Sequence, residues 1–244
     1  MNLSIVIPVF RESKKVEADI KSASRFLADN RFSGEIIVAD DGSDDDTSDV
    51  AKNLADSLPE GISLRVIRNN EHRGKGFAIR QGMKQTSGEY VMFADSGCCV
   101  PYENALRGLQ LLKNDKADIA HGSRKLPESK IRKPQSPYRR ICSAFFHWFI
   151  VFLMRIPPEI TDSQCGFKIY RGDIARQLYS ECITDGFMFD VEIIKRAQMA
   201  GCRIKEFPVE WACDRDSRLS PTRTLPHILS ELIAIRQNVG KKQV

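Results

Sequence analysis

The sequence predicts an α/β protein with a mostly parallel central sheet flanked by helices. Two observations predict it. Short apolar runs such as LSIVIPVF and EYVMFAD alternate with stretches whose apolar residues recur at helical spacing, the pattern of a sheet covered on both faces. Acidic and glycine-bearing turns follow the strands at their C-terminal ends, where such sheets hold ligands.

Residues 3–10 form the first strand, and Val16, Ile20, Ala23 and Leu27 mark the helix after it. The stretch GEIIVADDGSDDDT repeats the unit, with Thr47 or a neighbouring aspartate capping the next helix. ISLRVIRN is a third strand, GKGFAIRQGMKQT a third helix and EYVMFAD a fourth strand. A helix over about 103–113 leads to the short strand ADIAHGSR. TDSQCGFKIYRGDIARQL reads as a loop and strand entering a helix, GFMFDVEIIKRAQMAG as another helix, and CRIKEFPVEWAC as one edge strand containing Pro208. Residues 1–212 are expected to form one domain, with 213–244 a C-terminal loop and amphipathic helix packed on it. Leu225, Ile228, Leu229, Leu232 and Ile235 supply that helix's apolar stripe.

With 244 residues, 42% of them hydrophobic, the chain can bury a sizeable core. A net charge of +5 suits an anionic ligand or membrane surface and falls short of a nucleic-acid footprint. The 7 cysteines are odd in number and contain no CxxC pair, which argues against a disulfide framework or zinc site and for a reducing compartment. MNLSIVIPVF lacks a basic leader and carries Pro8, so it reads as a buried strand and the expected location is cytoplasmic. The longest apolar run, SAFFHWFIVFLM at 143–154, is too short to cross a bilayer, which takes about 20 residues. Beside the basic stretch RKPQSPYRR it fits either an interfacial segment or a core helix.

The chemistry gathers at the strand ends. Asp40 and Asp41 can accept hydrogen bonds from a base imide or ribose hydroxyls, or can simply form an acidic turn before a helix. Lys75 lies between glycines where a helix begins, with Arg73 and Arg80 nearby. That loop is either a diphosphate contact or a support for the neighbouring turn. Asp95 follows the fourth strand and can hold a divalent cation, but Gly97 stands where a second carboxylate would help it. Cys165 reads as a small buried residue, and His72 and His147 as ordinary surface or helix residues.

IVIPVFRE, IIVADDGSDDDT, GKGFAIRQG, MFADSG, GSRK, DSQCGFK and FMFDVE occur in an order that resembles family 2 glycosyltransferases, over about residues 3–212. The set is similar to the dolichyl-phosphate β-glucosyltransferase and polyprenyl-phosphate mannosyltransferase branch. This resemblance implies a GT-A fold in a single nucleotide-sugar-binding domain, a divalent Mg²⁺ or Mn²⁺, and inversion by in-line displacement. It implies donor contacts at Pro8, Phe10, Glu12, Asp40, Asp41, Lys75, Gln164 and Arg218, and metal binding at Asp95. Arg124 would face the phosphates, Asp190 and Glu192 the sugar and acceptor, and Arg140 and Ser143 an acceptor phosphate. The implied partners are a UDP-glucose- or GDP-mannose-type donor and a lipid phosphate, with the protein peripheral at the inner membrane face. A lipid phosphate acceptor is already anionic and needs cationic positioning. A glycan or other small hydroxyl acceptor needs a base, for which Asp190 and Glu192 are the candidates, and a nucleotide-sugar-binding protein whose catalysis Gly97 has weakened is the remaining alternative.

Overall fold

The computed structural model describes residues 2–133, 144, 148–212 and 221–239, with side chains of the last stretch described from 226. Strands β1 (Asn2–Val9), β2 (Ser33–Asp40), β3 (Ile62–Arg68) and β4 (Tyr90–Ala94) alternate with helices α1 (Val16–Asp29), α2 (Thr47–Lys52) and α3 (Lys75–Lys84). The pleat sends neighbouring residues to opposite faces. Leu3, Ile5 and Ile7 join Ile20, Phe26 and Leu27 of α1 on one face. Val6, Ile37 and Ala39 meet Ala78, Ile79 and Met83 of α3 on the other. Both faces are therefore covered, which explains the unbroken apolar strands.

The second half adds α4 (Ala105–Lys113), β5 (Ile119–Ser123), β6 (Lys130–Lys133), a short helix α5 (148–154), β7 (Phe167–Arg171), α6 (Gly172–Glu181), α7 (Phe189–Met199), β8 (Ile204–Pro208), β9 (Glu210–Ala212) and α8 (Pro221–Asn238). The 7-stranded sheet has the order β3-β2-β1-β4-β7-β5-β8, with β7 antiparallel to both neighbours. CRIKEFPVEWAC is two strands where one is expected. β8 ends on Pro208 at the sheet edge, and β9 turns away to pair with β6. Proline offers no N–H to extend a ladder.

The apolar run at 143–154 divides its side chains. Ile150 and Met154 join Val191 and Ile194 of α7 and Ile228, Leu232 and Ile235 of α8 in a third core. Trp148 and Phe152 point outward, 61% and 74% exposed, with rings stacked at 5.8 Å. No helix among the described residues is long and apolar enough to cross a membrane.

Candidate active site

The crevice starts where the sheet opens. β1 pairs with β2 along its whole length, but its ladder with β4 stops at Val6–Phe93, two residues before Pro8. The neighbours of β1 lie on opposite sides of it, so this is the topological switch point where α/β sheets bind ligands. Asp41 follows β2 and Asp95 follows β4. Residues 73–75 bridge them: the Gly74 N–H donates to Asp41 Oδ2 at 2.7 Å, and Lys75 Nζ lies 2.5 Å from Asp95 Oδ1.

Behind that bridge the charges alternate. Asp95 holds Lys75, Lys75 feels Asp190, and Asp190 pairs with Lys168. Lys168 is 1% exposed and also donates to the Ser163 carbonyl at 3.1 Å. Burial pushes the Asp190 carboxyl above the usual range, against the pull of Lys168 and Lys75. Burial also presses on the Lys75 ammonium, but Asp95 and Asp190 outweigh it and its pKa is raised. Lys75 therefore stays a cation. Asp95 is fixed from its other side by Gly166, which takes the Asp95 N–H on its carbonyl at 2.9 Å. A Cβ at position 166 would lie 2.0 Å from Asp95 Oδ2, so any larger residue would push the carboxylate from this position.

After Asp95 the chain folds back onto α1. Asp19, 1% exposed, accepts the Gly97 N–H (2.9 Å), the Cys98 N–H (2.9 Å) and the Ser96 hydroxyl (2.6 Å). Gly97 has φ of +92° and Cys98 of +49°. This loop is shaped by its hydrogen bonds to Asp19, in a backbone conformation that favours glycine at 97.

On the β2 side the paired aspartates part company. Asp40 builds the turn, accepting from the Ser43 N–H at 2.9 Å and from the hydroxyls of Ser43 and Ser48. Asp41 turns to the 69–74 loop, accepting from Asn69 Nδ2 and the Arg73 N–H at 3.1 Å each. His72 Nδ1 lies 2.7 Å from Asp41 Oδ2, and the His72 ring stacks on Phe10 with centroids 3.9 Å apart. His72 lies at the surface as expected, 55% exposed, and adds these two contacts to that reading. Pro8 is buried in β1, and Glu12 approaches Lys15 at 3.5 Å while its backbone N–H donates to Thr47.

The backbone of the glycine-bearing loop is spent on support. The N–H groups of Gly76 and Phe77 donate to the Gly186 and Asp185 carbonyls, and Arg73 and Arg80 both pair with Asp185 at 2.6 and 2.5 Å. These donors hold α3 against the 182–186 loop. The Lys75 side chain reaches the crevice at Asp95, and that of His72 reaches it at Asp41.

Arg124 follows β5 and grips Asp162 with two hydrogen bonds of 2.7 Å, its guanidinium 5.2 Å from the centre of the Trp211 ring. Burial presses on its charge, the Asp162 hydrogen bonds outweigh it, and Asp95 adds to the same pull. Gln164 sits between Asp162 and Gly166, and its Nε2 is buried without a hydrogen-bond partner. Burial pushes the Cys165 thiol up to about 12, which keeps it protonated. Glu192 is not brought to the crevice. Its carboxylate accepts the Ile183 and Thr184 N–H groups at 2.9 and 2.8 Å and pairs with Arg196 at 2.7 Å, so it serves the 182–184 loop. Arg140, Ser143, His147 and Arg218 lie outside the described residues.

Residues 4–179 match glycosyl transferase family 2. The chain is a family 2 glycosyltransferase. The transferase is 33% identical over 245 residues to the dolichyl-phosphate beta-glucosyltransferase of Homo sapiens, covering 96% of this chain and 74% of that protein. It is 28% identical over 243 residues to the enzyme of the same name from Dictyostelium discoideum, covering 96% and 73%. Among solved structures it resembles glucosyl-3-phosphoglycerate synthase from Mycobacterium tuberculosis, in complex with Mn²⁺, UDP and glucosyl-3-phosphoglycerate, with a TM-score of 0.68 at 19% identity over 99% of this chain and 81% of that one. Mannosyl-3-phosphoglycerate synthase from Rubrobacter xylanophilus gives 0.68 at 16% over 100% and 76%. The fold is GT-A, and the transferase uses a nucleotide sugar.

A divalent ion is implied by this fold, and Asp95, following β4, is the carboxylate that would meet one. No cluster of three or more His, Cys, Asp or Glu side chains that could hold a metal occurs among the described residues. Asp95 Oδ1 is buried and is engaged by the Lys75 ammonium at 2.5 Å. One carboxylate with phosphate oxygens and water is a workable donor set for Mg²⁺. A second at position 97 is another matter. Gly97→Asp places a side chain at φ of +92° and a new charge near the Asp19 carboxylate. It is expected to destabilise the transferase by about 1–2 kcal/mol, lowering the melting temperature by a few degrees. An unchanged or higher melting temperature in metal-free buffer refutes that.

Proposed function

We propose that the enzyme moves a hexose from a UDP- or GDP-sugar to a polyprenyl phosphate at a membrane surface, inverting the anomeric carbon in one in-line displacement. One observation carries the acceptor class. Among the described residues the crevice offers paired cations and no free carboxylate: Asp95 is held by Lys75, Asp190 by the buried Lys168, and Glu192 is turned away. Such a site suits an acceptor that is already ionised and needs positioning, not deprotonation. The relatives named for dolichyl-phosphate glucosyl transfer support the same reading.

In this scheme Asp41 and Phe10 receive the nucleobase, and Lys75 neutralises charge on the departing diphosphate. Gln164, with its unpaired amide, meets sugar hydroxyls, and Arg124 lends positive potential while Asp162 fixes its direction. Arg140 and Ser143 would hold the acceptor phosphate, and Arg218 would close on the donor. Mg²⁺ or Mn²⁺, held by Asp95, would act as a Lewis acid toward the diphosphate. Trp148 and Phe152 on α5, with Leu229 and Ile233 exposed on α8, supply apolar contact to the bilayer boundary. Arg155, Lys195 and Arg236, gathered around a cavity of about 210 Å³ between these helices, supply charge for anionic headgroups.

A sugar hydroxyl acceptor is the second reading, favoured by the raised pKa of Asp190, which suits a base. The two separate in one assay. UDP-glucose and GDP-mannose are offered with a short polyprenyl phosphate or with the matching polyprenol, with and without Mn²⁺, and lipid-linked sugar is counted. Transfer to the phosphate alone is expected, with sedimentation on anionic vesicles at low salt. Transfer only to hydroxyl acceptors, or none to either lipid, overturns the reading.

A further inference from the structure

The subsite proposed for the nucleobase is already filled by part of the protein. His72 makes both contacts that a base makes there: its ring lies nearly parallel to Phe10, at 18° and 3.9 Å between centroids, and Nδ1 reaches Asp41 Oδ2 at 2.7 Å. A pyrimidine or purine with an imide N–H offers the same planar face and the same donor. We propose that His72 is an internal stand-in for the nucleobase, which the incoming nucleotide must displace from Asp41 and Phe10 before it can bind. The inference rests on the nucleotide-sugar reading of this site and adds a residue that sets its affinity.

The surroundings determine what moves. Asp41 is 2% exposed and its oxygens are occupied by Asn69, by the Arg73 and Gly74 N–H groups, and by His72. The backbone donors are held in place by their neighbours: Arg73 pairs with Asp185 at 2.6 Å and stacks on Phe77 at 3.9 Å, while Lys75 pairs with Asp95. His72 is 55% exposed and turns on its own side-chain bonds. It can therefore swing out while the loop stays in place. Asp41, a buried carboxylate that would otherwise lose a donor in the empty enzyme, stays fully hydrogen-bonded until the base arrives. The cost of releasing His72 is subtracted from the binding of every nucleotide that uses this subsite.

Calorimetric titration of the wild type and His72→Ala with UDP, GDP and inorganic pyrophosphate tests this. His72→Ala is expected to bind the preferred nucleoside diphosphate about tenfold more tightly and to leave pyrophosphate, which has no base, unchanged. Unchanged or weaker nucleotide binding in His72→Ala overturns the proposal, as does an equal gain for pyrophosphate, which would place the effect away from the base. If the wild type binds pyrophosphate but neither nucleotide, the nucleotide reading of the subsite itself falls. His72→Asn, a smaller side chain that can still donate to Asp41 but cannot stack, is expected to lie between the two. A His72→Asn affinity outside that range overturns the shared role of stacking and hydrogen bonding.

Discussion

Asp95→Ala is expected to lower turnover about a thousandfold while the protein stays folded. The loss is of the size seen when one preorganised charge at a reacting centre is removed. Two effects combine in it. Asp95 is the carboxylate proposed to hold a divalent ion, and it fixes Lys75 at 2.5 Å, so without it the ammonium is free to turn toward Asp190. Folding is spared because the Asp95 side chain is about a third exposed, at 35%, and the Asp95 N–H bond to Gly166 is backbone. Steady-state kinetics with whichever of UDP-glucose and GDP-mannose supports transfer, alongside a thermal melt, checks both halves. Full turnover in Asp95→Ala would falsify its assignment to the reacting centre; lost turnover with an intact melt supports it. Asp95→Asn should lose nearly as much, since the amide keeps the shape without the charge.

Glu192→Ala should do the reverse. It removes a carboxylate that is fully buried, takes the acceptor from the Ile183 and Thr184 N–H groups, and leaves the Arg196 guanidinium with Glu181 alone among the described residues. A loss of about 3–5 kcal/mol is expected, as for breaking a buried charge pair, and a fall in melting temperature of about 10 °C. Burial acts to raise the Glu192 pKa, but its hydrogen bonds outweigh that and the carboxyl sits below its ordinary value. Its stabilising contribution is therefore present above the unfolded glutamate value of about 4.3, and is lost as the pH falls through the lower folded value. The melting temperatures of wild type and Glu192→Ala should converge in that acid range. Glu192→Ala molecules that remain folded should keep turnover within a few-fold. A melting temperature near wild type at neutral pH, joined to loss of turnover, would return Glu192 to the reacting centre.

The sheet was legible because its strands are apolar on both faces, and Asp41 and Asp95 were legible because they close such strands. Strand direction is not written in apolar content, so the antiparallel course of β7 was not. β6 reads KIRK, exposed at every position, and carries no periodicity that marks a strand. Buried charges were missed for a related reason: a lone Asp in an amphipathic helix reads as surface. Asp19 nevertheless lies three residues after Val16 and four before Ala23, on the apolar face of α1, and that spacing is a usable signal. Lys168 likewise interrupts the apolar strand FKIYR, where a charge must have a buried partner. Asp190 and Glu192 looked equivalent in FDVE. Two positions apart on a helix they point in different directions, and only Asp190 faces the crevice cations.

On the proposed reading, Gly74 touches the carboxylate that receives the base and Lys75 the carboxylate beside the leaving group. Adjacent residues of one chain thus serve both ends of the donor. The separation of those ends is set by the backbone joining the two residues and by the ion pair that holds Lys75 on Asp95, so the site carries a built-in yardstick: a nucleoside monophosphate sugar that engages Asp41 would hold its anomeric carbon short of Lys75 by one phosphate.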